Sequence, residues 1–217
     1  RNDGVPNPPA ATVDGSVDRP VGGGNQPIPV NCDVVFGTER FDNNFRLSQH
    51  FTLGMLFDGG VGGQHSLVAQ NGLSVQQIVC NLAQLAQNVL EPALAVLPGG
   101  IDGYRRQWRI NSGYRQGTSR SQHNKGQAVD IGIIAGSLDE KIQTAYDLTL
   151  QLDRTVPYDQ LILEYRHSTS CWIHCSYNSE SLRGMGFTMV NDSTYRRDEN
   201  GMPAGFYRLT SIPPKRG

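Results

Sequence analysis

The stretch Ser121-Gln122-His123-Asn124-Lys125-Gly126-Gln127-Ala128-Val129-Asp130 constrains the chain most. It sets an imidazole and a carboxylate seven positions apart around two small residues. Together these are two-thirds of a metal site. A borderline-soft ion such as zinc accepts nitrogen and oxygen donors, and a catalytic site takes three protein ligands and leaves a fourth position open. A third donor must therefore come from elsewhere, and the fold must bring it in. The best candidate is His174, the one basic residue in the apolar, strand-like run Cys171-Trp172-Ile173-His174-Cys175-Ser176-Tyr177. The expected ligands are His123, Asp130 and His174, with zinc as the cofactor.

Composition limits the setting. At 217 residues the chain suits one domain with additions. With 19 Lys+Arg against 20 Asp+Glu there is no net field to draw it to nucleic acid or an anionic membrane. No apolar run approaches the roughly 20 residues that span a bilayer. The four cysteines, Cys32, Cys80, Cys171 and Cys175, fit no common zinc spacing and are too few for a disulfide scaffold. On an extended strand Cys171 and Cys175 share one face and His174 the other, which makes the thiols buried small hydrophobes rather than ligands.

The pattern Ser-x-His-x-x-Gly-x-Ala-x-Asp, filled at every defined position, is followed by Trp172-Ile173-His174. With Leu47 to Leu53, Asn81 to Leu85, Ser112-Gly113-Tyr114-Arg115 and Asp159 to Glu164, it resembles the zinc D-alanyl-D-alanine carboxypeptidase family, which includes vancomycin-resistance dipeptidases and phage endolysin peptidases. The resemblance runs from about Leu47 to Asn178. It implies an α+β fold, a small, mostly antiparallel sheet flanked by helices as in hedgehog and DD-peptidase domains. It also implies zinc-dependent hydrolysis of peptidoglycan stem peptides next to D-amino acids. Arg115 would face the substrate, its planar fork holding a carboxylate or charge developing on a carbonyl oxygen; Ser121 and Trp172 are assigned to the same side.

One departure stands out. Several relatives carry an acid three positions before the last histidine, where this chain has Cys171. Glu164 is the expected substitute as general base: a hairpin turning near Thr169 would set it opposite His174 on the same face. Asp159 is the other acid within the pattern.

Read in order, residues 1–29 are rich in Pro, Gly, Asn and Asp and have little apolar surface to offset ordering, so they are expected to form a flexible arm. That arm is either a plain tail or a tether to a virion or envelope assembly. Residues 30–178 form the peptidase-like domain and 179–217 an extension packed on it. Val30 to Phe36 predicts a short strand. Ser74 predicts a cap for a helix to about Val96, interrupted near Pro92. Trp108 to Arg115 reads as a strand and turn, Asp130 to Ile134 as a strand, and Ser137 to Glu140 as a capping box opening a helix to about Arg154. Asp159 to Tyr165 and Trp172 to Tyr177 form the hairpin, and Phe206 to Leu209 a late strand. His50 and His65 are expected to be structural or surface residues. The chain is thus expected in a phage tail or baseplate, or in the bacterial periplasm or outside the cell. The alternative is a non-catalytic module that keeps this fold for binding or assembly.

Overall fold

The computed structural model describes residues 41–57, 67–117, 119–166, 170–190 and 205–208. The expected arm at 1–29, the strand at 30–36, the Gly-rich residues 58–63, His65 and the hairpin turn at 167–169 lie outside them.

The first long helix, α1, spans Val75–Leu85. Ser74 caps it reciprocally: its side chain accepts from the Gln77 backbone, and Gln77 accepts from the Ser74 N–H. Ile78, Val79, Leu82 and Leu85 recur at helical spacing and are buried. A π-helical turn at Ala86–Leu90 and a last turn at Glu91–Ala93 carry the chain on. The regular α-helix therefore stops before Pro92 is reached. Here Glu91 fastens the chain's earlier segment, accepting from the His50 backbone N–H at 2.7 Å and pairing with His50 Nδ1 at 2.7 Å. His50 is thus structural, although its carboxylate partner lies 41 positions away.

Strand β1, Trp108–Ser112, pairs antiparallel with β2, Ala128–Ile133. Helix α2, Leu138–Thr155, follows, opened by the Ser137–Glu140 capping box. Strands β3, Gln160–Arg166, and β4, Ser170–Ser176, complete the hairpin, and β4 also pairs with β2. Next comes β5, Met185–Val190, which runs parallel to β3. The result is an α+β fold built on a mixed, mostly antiparallel sheet of five strands, with the short β6, Gly205–Arg208, at its edge; the order is β1-β2-β4-β3-β5-β6.

Alternation along the strands gives the sheet two characters. Val129, Ile131, Leu161, Leu163, Ile173 and Cys175 are fully buried and share one core with Ala145, Leu148 and Leu152 of α2, which packs on β2, β3 and β4. Burying a Leu or Ile side chain contributes on the order of 1.5–3 kcal/mol, so this face anchors the domain. Asp130 and His174, partners in the β2–β4 ladder, lie on the opposite face. β5 begins beyond Asn178, so residues assigned to the C-terminal extension supply a strand of the sheet itself. No helix among the described residues is long and apolar enough to cross a membrane.

Cys171 and Cys175 carry free thiols, and burial pushes both up to about 12. Neutral thiols on the α2 side of β4 are not ligands for a site on the other face. Cys80 is disulfide-bonded.

Candidate metal centre

Three separate local structures deliver the three donors. His123 rides on the 3-10 turn Gln122–Lys125, which ends at Gly126 in the left-handed region (φ 70°). A Cβ on Gly126 would lie 2.7 Å from the Ile78 carbonyl oxygen and 3.1 Å from Leu82. Glycine is needed both for its φ and because the turn rests directly on α1. The neighbour that excludes bulk here is the helix backbone. Asn81 adds a hydrogen bond of 2.8 Å to the Lys125 carbonyl. Asp130 and His174 come from adjoining strands in direct register.

The donor atoms converge. His123 Nε2 lies 3.2 Å from His174 Nδ1 and 3.2 Å from Asp130 Oδ1, and His174 Nδ1 lies 3.1 Å from Asp130 Oδ1. Donors about 2.0–2.1 Å from a tetrahedral ion are about 3.3–3.4 Å apart, so this triangle is close to one face of a zinc tetrahedron. All three residues are buried, at 3%, 8% and 8% exposure for His123, Asp130 and His174. His123 Nδ1 is 2.7 Å from the Gly113 carbonyl oxygen, which fixes the proton on Nδ1 and leaves Nε2 as a lone-pair donor. In that tautomer one proton on His174 Nδ1 cannot serve both Asp130 and His123 well. A cation satisfies all three atoms at once. These residues are also the group among the described residues that could hold a metal ion.

No protein-family model matches the chain, and no curated protein matches it.

The electrostatics follow from this packing. Burial alone would raise the Asp130 carboxyl; whenever the facing His123 and His174 nitrogens carry protons, their hydrogen bonds and charge hold it well below the usual carboxylate range, the place a bound cation would take. Arg115 Nη2 donates to Asp130 Oδ2 at 3.0 Å. Its delivery depends on the turn after β1, where a Cβ on Gly113 would fall 2.1 Å from the Leu56 carbonyl oxygen. Tyr114 N–H donates to that same carbonyl at 2.7 Å. Gly113 therefore lets the backbone approach closely, while its own carbonyl orients His123.

The hairpin register differs from the expected one. Glu164 stands across from Trp172, and His174 across from Ile162. Relative to the expected pairing, the β3–β4 register moves Glu164 two places along the ladder. Because side chains alternate with a period of two, the shift keeps Glu164 on the His174 face, diagonal to it rather than opposite. Burial pushes the Glu164 carboxyl up to about 7; His174, Arg115 and a hydrogen bond with Trp172 oppose the rise, and the Asp130 charge adds to it. Trp172 is half-buried beside it. Ser121, also half-buried, opens the His123 turn without making a side-chain cap.

Asp159 is committed elsewhere. Burial would raise its carboxyl, but hydrogen bonds from Arg183 and Gln122 hold it below the usual range. Every carboxylate oxygen is engaged, so it is not free to serve as a base. Sequence reasoning did not single out Ser112, which pairs with Asp130 across the β1–β2 ladder and whose Oγ is buried without a partner. Its place in the Ser112-Gly113-Tyr114-Arg115 phrase was the available signal.

Proposed function

We propose that the chain is a zinc-dependent peptidase of the D-alanyl-D-alanine carboxypeptidase type, acting on peptidoglycan stem peptides next to D-amino acids. The observation that carries the reading is the buried triangle of His123 Nε2, Asp130 Oδ1 and His174 Nδ1, with edges of 3.1–3.2 Å. Two imidazoles and one carboxylate form a donor set of catalytic zinc sites. The substrate class rests on the resemblance of the motifs at Ser112 to Arg115, Ser121 to Asp130 and Trp172 to His174. On the same ground, the domain is of the hedgehog and DD-peptidase kind. Its setting is a phage tail or baseplate, or the periplasm or exterior of a bacterium, with residues 1–29 as the tether to any larger assembly.

A divalent ion held by these ligands supplies Lewis-acid activation of water and of the scissile carbonyl. Glu164, on the same face, takes the proton of the attacking water and returns it to the leaving amine. Arg115 is anchored through Nη2 to Asp130 and retains a buried, unpartnered Nε. It can present its remaining donors to a substrate carboxylate or to charge building on the carbonyl oxygen. Ser121 and Trp172 complete the substrate side.

Incubation with purified peptidoglycan, with zinc or with chelator, followed by mass identification of released fragments, tests the reading. Loss of a terminal D-alanine marks a carboxypeptidase, and cleavage within the stem or crossbridge an endopeptidase. Zinc-loaded protein that releases no fragment from any wall peptide would instead make the chain a binding or assembly module.

A further inference from the structure

Outside the ligand triangle, Asp159, just before β3, is a heavily engaged polar residue and only 2% exposed. Arg183 meets it with a two-pronged ion pair, Nε to Oδ1 at 2.6 Å and Nη2 to Oδ2 at 2.7 Å, and the Arg183 backbone N–H adds a third bond of 3.2 Å. Gln122 Nε2 donates to Oδ2 at 2.6 Å from the other side. Gln122 immediately precedes His123, and its carbonyl accepts from Gln127 N–H at 2.9 Å across the turn that carries this ligand. The Asp159 backbone joins the same structure: its N–H donates to Ser176 at the end of β4, and its carbonyl accepts from Met185 at the start of β5. One buried residue, through its carboxylate and its backbone, thus ties together the His123 turn, the His174 strand and the segment linking β4 to β5.

We infer that Gln122, Asp159 and Arg183 are positioning residues that set His123 against Asp130 and His174, so that Arg183, from beyond the family-like region, governs metal affinity without touching the site. The inference rests on the metal-site reading above. Its physical basis is that the two strand ligands are placed by the ladder, whereas His123 sits on a short turn whose sideways position the ladder does not fix. Fork-to-carboxylate pairing is directional, and its carboxylate end is buried although the Arg183 side chain is 47% exposed, which suits it to holding such a turn in place. Losing outer contacts of this kind typically weakens metal binding by about 10–100-fold.

The test measures zinc dissociation constants by competition with a chromophoric chelator, alongside melting temperatures, for wild type, R183Q, Q122M and the double variant. S137A, which removes the cap of α2 far from the turn, serves as a control for general destabilisation. R183Q and Q122M are each expected to weaken zinc binding by about 10–100-fold, and the double variant by less than the product, because both act through Asp159. S137A should lower the melting temperature and leave zinc affinity unchanged. Wild-type affinity in Q122M and R183Q overturns the positioning role alone. Should R183Q fail to fold, Q122M, which keeps side-chain length at a half-buried position, decides by the same criterion. A wild type with no zinc affinity sinks the metal-site reading, and this inference with it.

Discussion

Arg115 and Asp130 divide the carboxylate between two tasks: Oδ2 accepts from the Arg115 guanidinium at 3.0 Å, while Oδ1 faces both histidines at 3.1–3.2 Å. The arginine is thus held at the candidate metal site by the carboxylate it helps to orient. R115A should retain bound zinc, since three ligands remain, but lose turnover by about 10²–10³-fold, the usual cost of removing a donor to developing charge. Steady-state kinetics beside elemental analysis checks both halves. R115A turning over at the wild-type rate would remove Arg115 from the chemistry.

Zinc itself should behave as a folding ligand. Binding to the native chain alone stabilises it by about 2.7 kcal/mol when free zinc is 100 times the dissociation constant. A melting-temperature rise on zinc addition is therefore expected in wild type and absent in H123A and H174A. Equal rises in all three would place the ion elsewhere.

Glu164 offers two separable readouts. E164Q should keep zinc and fold while wall-peptide cleavage falls by at least about 10²-fold. In metal-free protein the sign of the pH effect can also be worked out. The folded Glu164 carboxyl titrates near 7, above the unfolded value of about 4.3, so the folded state holds this proton more tightly. Its contribution to stability is complete below about pH 4 and is lost as pH rises through 7. Relative to wild type, apo E164Q should gain stability between pH 5 and 8, as denaturant titrations would show. Parallel pH profiles for the two proteins would contradict the shifted carboxyl.

Gly126 carries a purely steric prediction. G126A forces a side chain into the left-handed region and drives its Cβ to 2.7 Å from the Ile78 carbonyl oxygen, a backbone atom that cannot swing away. Such incompatible substitutions cost more than about 1 kcal/mol. Both the melting temperature and zinc occupancy should fall, because the strained residue closes the turn that bears His123. A variant as stable as wild type would show that the turn moves freely on α1.

The sequence displayed the parts of this site that depend on local pattern. Ser74 announced its helix as an N-cap and Ser137 through a capping box, and the alternation of β4 put His174 opposite the cysteines before any strand partner was known. What it could not display depends on through-space register. Glu164 was placed on the correct face but two positions along, because the hairpin turn does not declare its centre. The Gln122–Asp159–Arg183 contacts join residues as far as 37 positions apart with no periodic signal. The π-helical turn before Pro92 shows equally little in composition, since it depends on the packing around Ala86 to Leu90.

Strand order also decides which parts of the molecule can open without the rest. β4 lies between β2 and β3, so the backbone amides around His174 are bonded to neighbours on both sides, whereas β1 and β6 border the sheet. In hydrogen exchange, protection should be deepest through β4 and its inner neighbours and shallowest at the margins, following the usual gradient from core to edge. Breathing at either margin can then admit solvent while the Asp130–His174 rung stays closed.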